Sequence, residues 1–264
     1  MLVFVVPLKS KRLAGSWRRS EALLERTLRS ICAQTSDAFR VIVVCHERPE
    51  IGFAHPHIRY VEVDFSVELT QPEPTADDSL TAMPDIERKR VDKGRKLLLG
   101  CTLAAEYGPD HVMIVDADDC VSNRLAEFAS RSRSAAGWYI ARGYSYQEGS
   151  SHVYLKRRDF HRECGTGNIV RYDLLQLPSA PEYNRGVPYY KLLLNHGLFA
   201  TKISRLGEPL VALPFYGAIY TFNGENIFAM SRPARRGVLG VLKRLVNERP
   251  LTDAIRREFG LYAI

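Results

Sequence analysis

Three aspartates, Asp116, Asp118 and Asp119, close an apolar run, Val112–Val115, in the stretch VMIVDADD. Carboxylates buried without partners are costly, and neighbouring like charges repel. A divalent cation answers both problems. Mg²⁺ and Mn²⁺ take carboxylate oxygens and share their shell with substrate phosphates. In open α/β sheets the ligand crevice lies beyond the carboxyl ends of strands, which is where an acidic cluster after a buried run would stand. The pattern therefore points to a metal–diphosphate site holding Mn²⁺ or Mg²⁺. A plainer reading stands beside it: Asp116 or Asp119 caps a helix over VSNRLAEFAS, since Asp is a good N-cap.

The elements that would position this cluster alternate along the chain. Leu2–Pro7 is a β-rich run. Ser20 can cap a helix with Leu24, Leu28 and Ile31 on one face, the spacing of an amphipathic helix. Val41–Val44 is the continuous β-branched run of a central parallel strand, and Ile58–Phe65 alternates like a strand nearer an edge. Residues 70–85 are proline-rich and polar, so they read as a loop. Ile86–Tyr107 reads as a long helix with a possible break at Gly94. This alternation predicts an α/β fold, a mostly parallel sheet flanked by helices.

The later residues differ in character. Short aromatic and β-branched runs over 137–175 predict strands lining an acceptor cleft, with Gly165–Asn168 as a tight turn. Residues 188–200 read as a short helix followed by a loop, Val211–Tyr220 as one strand, and 234–264 as a basic helical tail. The organisation is one compact domain: a ligand-binding half over 1–130, an acceptor-side half over 131–232, and a basic amphipathic tail over 233–264.

Composition bounds the function classes. The chain has 264 residues, 45% hydrophobic and 25% charged, an ordinary globular balance. A formal net charge of +7 suggests an anionic partner: nucleotide, acidic lipid surface or nucleic acid. Five scattered cysteines without a CxxC pair indicate neither a zinc ribbon nor a disulfide framework and fit a reducing compartment. The N-terminal apolar segment is too short to span a membrane and lacks a basic n-region. No stretch reaches the ~18 apolar residues of a transmembrane helix. The expectation is a cytoplasmic protein, peripheral at the inner membrane face if the tail's mixture of Val238, Leu239, Val241, Leu242 and Leu245 with Arg235, Arg236, Lys243 and Arg244 lies on lipid. Packing of that tail on its own domain is the other reading.

Leu28-Arg29-Ser30 with Gln34, then Val41–Val44, then Lys93-Gly94-Arg95, then Asp116-Ala117-Asp118-Asp119 form an ordered series over about residues 1–130. The series resembles family 2 glycosyltransferases of the GT-A fold. The resemblance implies a Rossmann-like GT-A sheet and transfer of a sugar from a nucleoside diphosphate sugar to an acceptor hydroxyl. The acceptor would be a glycan or a lipid-linked species in surface polysaccharide or glycoconjugate synthesis. It implies that Asp116 meets the ribose and Asp118 the metal, with Asp119 assisting. Glu47, one step beyond Cys45-His46, would stand in for the family's base-reading carboxylate, so the nucleobase stays open. Lys93, Arg95 and Lys96 would contact the diphosphate, unless they form a solvated helix face. The basic loop 9–20 either closes over the diphosphate or is a charged surface loop.

An inverting transferase needs a carboxylate to take the acceptor proton. Glu182 is the nearest candidate, with Asp173 and Glu163 behind it. His196 either completes a metal shell or is hydrogen-bonded at a helix end before Gly197. Asn223, Glu225, Asn226 and Ser231 mark a substrate-facing loop or an ordinary strand exit. Two other classes compete. A sugar-phosphate nucleotidyltransferase would carry a glycine-rich loop after the first strand, where this chain has Gly15 alone. A non-enzymatic nucleic-acid or membrane binder would exploit the net charge. The clustered aspartates oppose a phosphate backbone, so no nucleic-acid partner is expected.

Overall fold

The structure, a computed structural model, describes residues 1–65, 84–178, 193, 195–223 and 246–264, with the backbone alone for 84–88. The first strand, β1 (Leu2–Pro7), is buried at all six positions. Helix α1 (Trp17–Cys32) follows, then β2 (Phe39–Cys45) and β3 (Ile58–Glu62). Helix α2 (Pro84–Leu103) leads to β4 (His111–Ile114). β2 lies parallel to β1 with Val5 opposite Ile42, and β3 lies parallel to β2. β4 lies parallel to β1 on its other side, with Val5 opposite Ile114. The chain thus winds outward from β1 in one direction and then returns to its opposite edge. The crevice between the carboxyl ends of β1 and β4 is the topological switch point where such sheets take ligands.

Strand alternation divides the core into two layers. Leu2, Phe4 and Val6 of β1 pack with Leu24, Leu28 and Ile31 of α1. Val3 and Val5 pack on the other face with Leu97, Leu98 and Cys101 of α2. Gly100 allows α2 to settle closely, since a Cβ there would stand 2.5 Å from Val5 Cγ1.

The remaining described elements are β5 (Cys120–Val121), α3 (Leu125–Ser130), β6 (Gly137–Tyr139), β7 (Gly143–Gln147), β8 (His152–Lys156), β9 (Asn168–Arg171), α4 (His196–Ser204), β10 (Val211–Ala212), β11 (Ala218–Phe222), β12 (Glu248–Pro250) and α5 (Asp253–Phe259). A seven-stranded sheet runs β10-β6-β9-β4-β1-β2-β3, with β9 antiparallel to both β4 and β6. A five-stranded sheet runs β12-β8-β7-β11-β5. The expected mixed α/β fold with a mainly parallel sheet is present, and β6, β9 and β10 from the later residues complete that sheet. Residues 116–119 lie where the chain leaves the first sheet after β4 and enters the second at β5.

Several local expectations are corrected. Ser16, not Ser20, caps α1, accepting from the Arg19 N–H at 3.3 Å. Ser20 sits one turn inside, donating its hydroxyl to the Ser16 carbonyl. α2 runs unbroken through Gly94 and tightens into a 3₁₀ turn over Ala104–Tyr107. Val211–Tyr220 is two strands in different sheets rather than one. Pro214, which has no N–H for a ladder, lies in the break between them. Of the helix and following loop expected over 188–200, Leu193 is helical and residues 188–192 and 194 lie outside the described residues; the later part is not a loop, since His196–Ser204 form α4. The basic tail is not helical throughout: Glu248–Pro250 pairs with β8 as an edge strand, a place that tolerates Pro250. Its amphipathic stretch 234–245 and most of the loop 70–85 lie outside the described residues. No described helix is long and apolar enough to cross a membrane.

Candidate active site

The three aspartates do three different things. Asp119 is fully buried. Its Oδ2 accepts from the Thr166 hydroxyl at 2.6 Å and the Cys164 thiol at 3.1 Å, and its Oδ1 accepts from the Thr221 N–H at 3.2 Å. Burial, then the charges of Asp118 and Asp116, push its carboxyl well above the usual range. With hydrogen bonds to both oxygens, Asp119 ties the loop to the segment before β9 and to the end of β11.

Asp118 is half-buried, and its Oδ2 accepts from Asn223 Nδ2 at 2.8 Å. Burial and Asp116 raise its pKa, opposed by the Asn223 bond and the charges of Lys9 and Lys93. Asp116 is also half-buried; its Oδ1 lies 2.5 Å from Lys93 Nζ. Its backbone N–H donates to Thr166 Oγ1 at 2.9 Å. None of the three caps α3: the N-cap is Arg124, and the side chain of Gln34 accepts from the Ala126 N–H at 2.8 Å. The capping reading is thereby overturned.

Residues before the cluster position the backbone after it. Ser30 Oγ donates to the Val121 carbonyl at 3.1 Å and accepts from the Val121 N–H at 2.8 Å. Gln34 Nε2 donates to the Ser122 carbonyl at 3.0 Å. Ser30 and Gln34, read as part of a family-like pattern, are thus struts between α1 and residues 121–126.

The basic residues of α2 divide likewise. Lys93 reaches the aspartates from across the switch point. Burial lowers its pKa, but Asp116, with Asp118 and Asp119 behind it, outweighs that and raises it. Lys96 does not reach the site. It is fully buried, donating to the Leu8 carbonyl at 2.6 Å and to Asp92 Oδ2 at 2.8 Å. Burial lowers the pKa of Lys96 in spite of Asp92. Arg95 lies over the Phe65 ring at 5.6 Å, and that ring is 5.1 Å from His46. The three bases are therefore neither a single phosphate claw nor a solvated helix face. Glu47 accepts from the Lys11 N–H at 3.0 Å, bracing the 3₁₀ turn Lys11–Leu13 of the basic loop.

Of the later candidates, Glu182, Glu225, Asn226 and Ser231 lie outside the described residues. Asp173 is bound by Arg171 at 2.7 Å and Glu163 by Lys156 at 2.6 Å, so each carboxylate has a cationic partner. His196 opens α4, within reach of the charges of Asp116 and Lys93. Burial lowers its pKa, and its ring hydrogen-bonds the backbone of Arg162. Beside it a small cavity of about 20 Å³, lined by Ile114, Gly165, Asn168 and Phe199 among others, has room for about one water. A sugar does not fit there. Sequence reasoning missed Cys164 and Thr166. The Gly165–Asn168 turn was visible, but no local signal says that its threonine will meet Asp119 forty-seven residues away.

Among the described residues, no group of three or more His, Cys, Asp or Glu side chains is arranged to hold a metal ion by itself. Asp116 and Asp118 nonetheless supply hard carboxylate oxygens at the rim. A Mg²⁺-type ion is usually held by one or two protein carboxylates, with substrate phosphates and waters completing the shell. In that sense the residues fit such an ion.

No family model and no curated protein matches the chain. Among solved structures it is similar to the Francisella tularensis 2-C-methyl-D-erythritol 4-phosphate cytidylyltransferase (IspD), at 10% identity over 86% of this chain and 92% of that one, with a TM-score of 0.40. It is similar also to S. aureus TarS, at 14% identity over 97% of this chain and 41% of that one, with a TM-score of 0.42. The chain thus spans about two fifths of TarS. Likenesses this remote carry no argument about activity, which has to come from the site's own residues.

Proposed function

We propose that this chain is a GT-A-type glycosyltransferase that moves a sugar from a nucleoside diphosphate sugar to an acceptor hydroxyl of a glycan or lipid-linked acceptor. The observation that carries the reading is one juxtaposition. Asp116 and Asp118 stand at the carboxyl end of β4, with Lys93 on Asp116 and the charge of Lys9 acting on Asp118 from the end of β1. Carboxylates and ammonium groups interleaved at a switch point suit a ligand that is itself a metal-bridged polyanion.

A divalent cation, held by Asp118 and Asp116, would supply positive charge for the departing diphosphate. The chain's own residues do the rest. Lys93 and Lys9 offer ammonium groups to phosphate oxygens. Asn223 fixes the Asp118 carboxylate, and Thr166 fixes Asp119 and the Asp116 backbone together. Such preorganisation lowers the reorganisation needed when charge develops on the leaving group. Glu182 is the carboxylate assigned to the acceptor proton.

The test is thermal unfolding with UDP, GDP and dTDP, each with and without Mn²⁺. A diphosphate at a hundredfold its Kd stabilises by about 2.7 kcal/mol. The Asp118→Asn variant should lose the Mn²⁺-dependent share. Equal metal-dependent binding by Asp118→Asn sinks the site assignment. Pyrophosphate release from a nucleoside triphosphate and a sugar phosphate would replace this reading with a nucleotidyltransferase.

A further inference from the structure

We propose that Lys93 is the resident cation of this site, and that a nucleoside diphosphate, rather than the divalent ion alone, draws it off Asp116. The inference rests on the reading just given and adds an order of events to it.

Both members of the pair are held. Asp116 Oδ1 lies 2.5 Å from Lys93 Nζ. Its other oxygen packs on Gly165, where a Cβ would come within 2.4 Å of Oδ2. Its backbone is bonded to Thr166. On the other side, Lys93 is flanked along α2 by two anchors. Asp92, with Oδ1 3.5 Å from His46 Nδ1, binds Lys96, and Lys96 binds the Leu8 carbonyl. The side chains of Asp92 and Lys96 are 3% and 0% exposed. This turn of α2 is thus clamped through Lys96 to the end of β1, and Lys93 projects from a fixed point. The contact differs from a chance meeting of two mobile surface side chains, which contributes little.

A divalent ion approaching Asp116 therefore meets an ammonium group already on the same oxygen, and like charges repel. A diphosphate changes the balance. It offers Lys93 a stronger anion, so the ammonium can swing to a phosphate oxygen and leave Asp116 to the metal. Binding of metal and nucleotide is then coupled, and by linkage the coupling is reciprocal. Removing the Lys93 charge should weaken that coupling and leave the share due to phosphate ligation of the ion.

The experiment is Mn²⁺ binding to the full chain, read by the electron paramagnetic resonance signal of free Mn²⁺, with and without UDP or GDP. Wild type should bind Mn²⁺ about 10-fold tighter when the nucleotide is present, within the range typical of coupled sites. Lys93→Met should bind Mn²⁺ alone about 10-fold tighter than wild type, with a smaller further gain from nucleotide, the part that phosphate ligation of the ion supplies. Lys93→Arg keeps the charge and should keep the coupling. Lys93→Gln serves the same comparison if Lys93→Met does not fold. Equal affinity of wild type and the neutral variants for Mn²⁺ alone overturns the inference, while nucleotide-dependent binding lost in Asp118→Asn leaves the functional reading standing. Absence of Mn²⁺ binding with every diphosphate overturns both.

Discussion

Lys93 and Lys96 stand three residues apart on one helix, each against an aspartate, and their surroundings set them to different work. Lys96 and Asp92 are an i,i+4 pair sealed in the interior, 0% and 3% exposed. Lys93 reaches across the switch point to Asp116, and the two are 33% and 21% exposed. The first pair cannot trade its partner without stranding a buried charge, so it fixes geometry. The second can exchange Asp116 for another anion at the cost of a partly hydrated contact, so it can take part in binding. Depth, more than residue type, separates a strut from a ligand contact.

The sharpest way to break this contrast is Asp92→Ala. Stranding Lys96 should cost about 3–5 kcal/mol in urea unfolding, as removal of one partner of a buried pair does. A loss below about 1 kcal/mol, the scale of exposed pairs, would show that the two lysines do not differ as described. Next comes Thr166→Val, nearly isosteric, which removes the hydroxyl shared by Asp119 and the Asp116 N–H. Leaving those buried groups short of a partner should cost about 1–3 kcal/mol. Lys93→Met should cost about 1 kcal/mol or less in the same unfolding experiment, the scale of a partly hydrated pair, while altering Mn²⁺ binding.

The smallest effect per residue concerns three buried or half-buried histidines. Burial lowers the pKa of His57, His111 and His161 in the folded chain. The unfolded chain therefore binds more protons just below the ordinary histidine value, about 6.5. Their contribution to stability is complete above that pH and is lost as pH falls through the folded values. The raised carboxyls of Asp118 and Asp119 act in the opposite direction, so the histidine share is read as a difference: between pH 7.5 and pH 5.5 the thermal midpoint of His111→Gln should fall less, or rise more, than that of wild type. An unchanged slope in that variant would remove His111 from this account.

Much of the scaffold was legible because local pattern and burial agree there. Val41–Val44 is apolar at every position, as a strand covered on both faces must be, and β2 is such a strand. Leu24, Leu28 and Ile31 recur on the face that α1 buries. The second sheet was less legible. β5 has two residues and β12 three, too few to show a period. Glu248–Pro250 becomes a strand only because β8 offers an edge. Within the candidate site, the acidic cluster and Lys93 were visible as residue types. The structural partners of Lys96 and Asp119 were not visible, because they are distant in sequence: the Leu8 carbonyl, and Thr166 with Cys164.

The sequence by itself determined the parallel β1–β4 unit and the arrival of three carboxylates at the end of its last strand. Hydrophobic period and charge desolvation act locally, so they can be read along the chain. Only the tertiary structure decided which carboxylates stay open. Thr221 in β11, Asn223 just after it, and Cys164 and Thr166 just before β9 fold back onto the loop, and hydrogen bonds between residues so far apart leave no trace in local spacing.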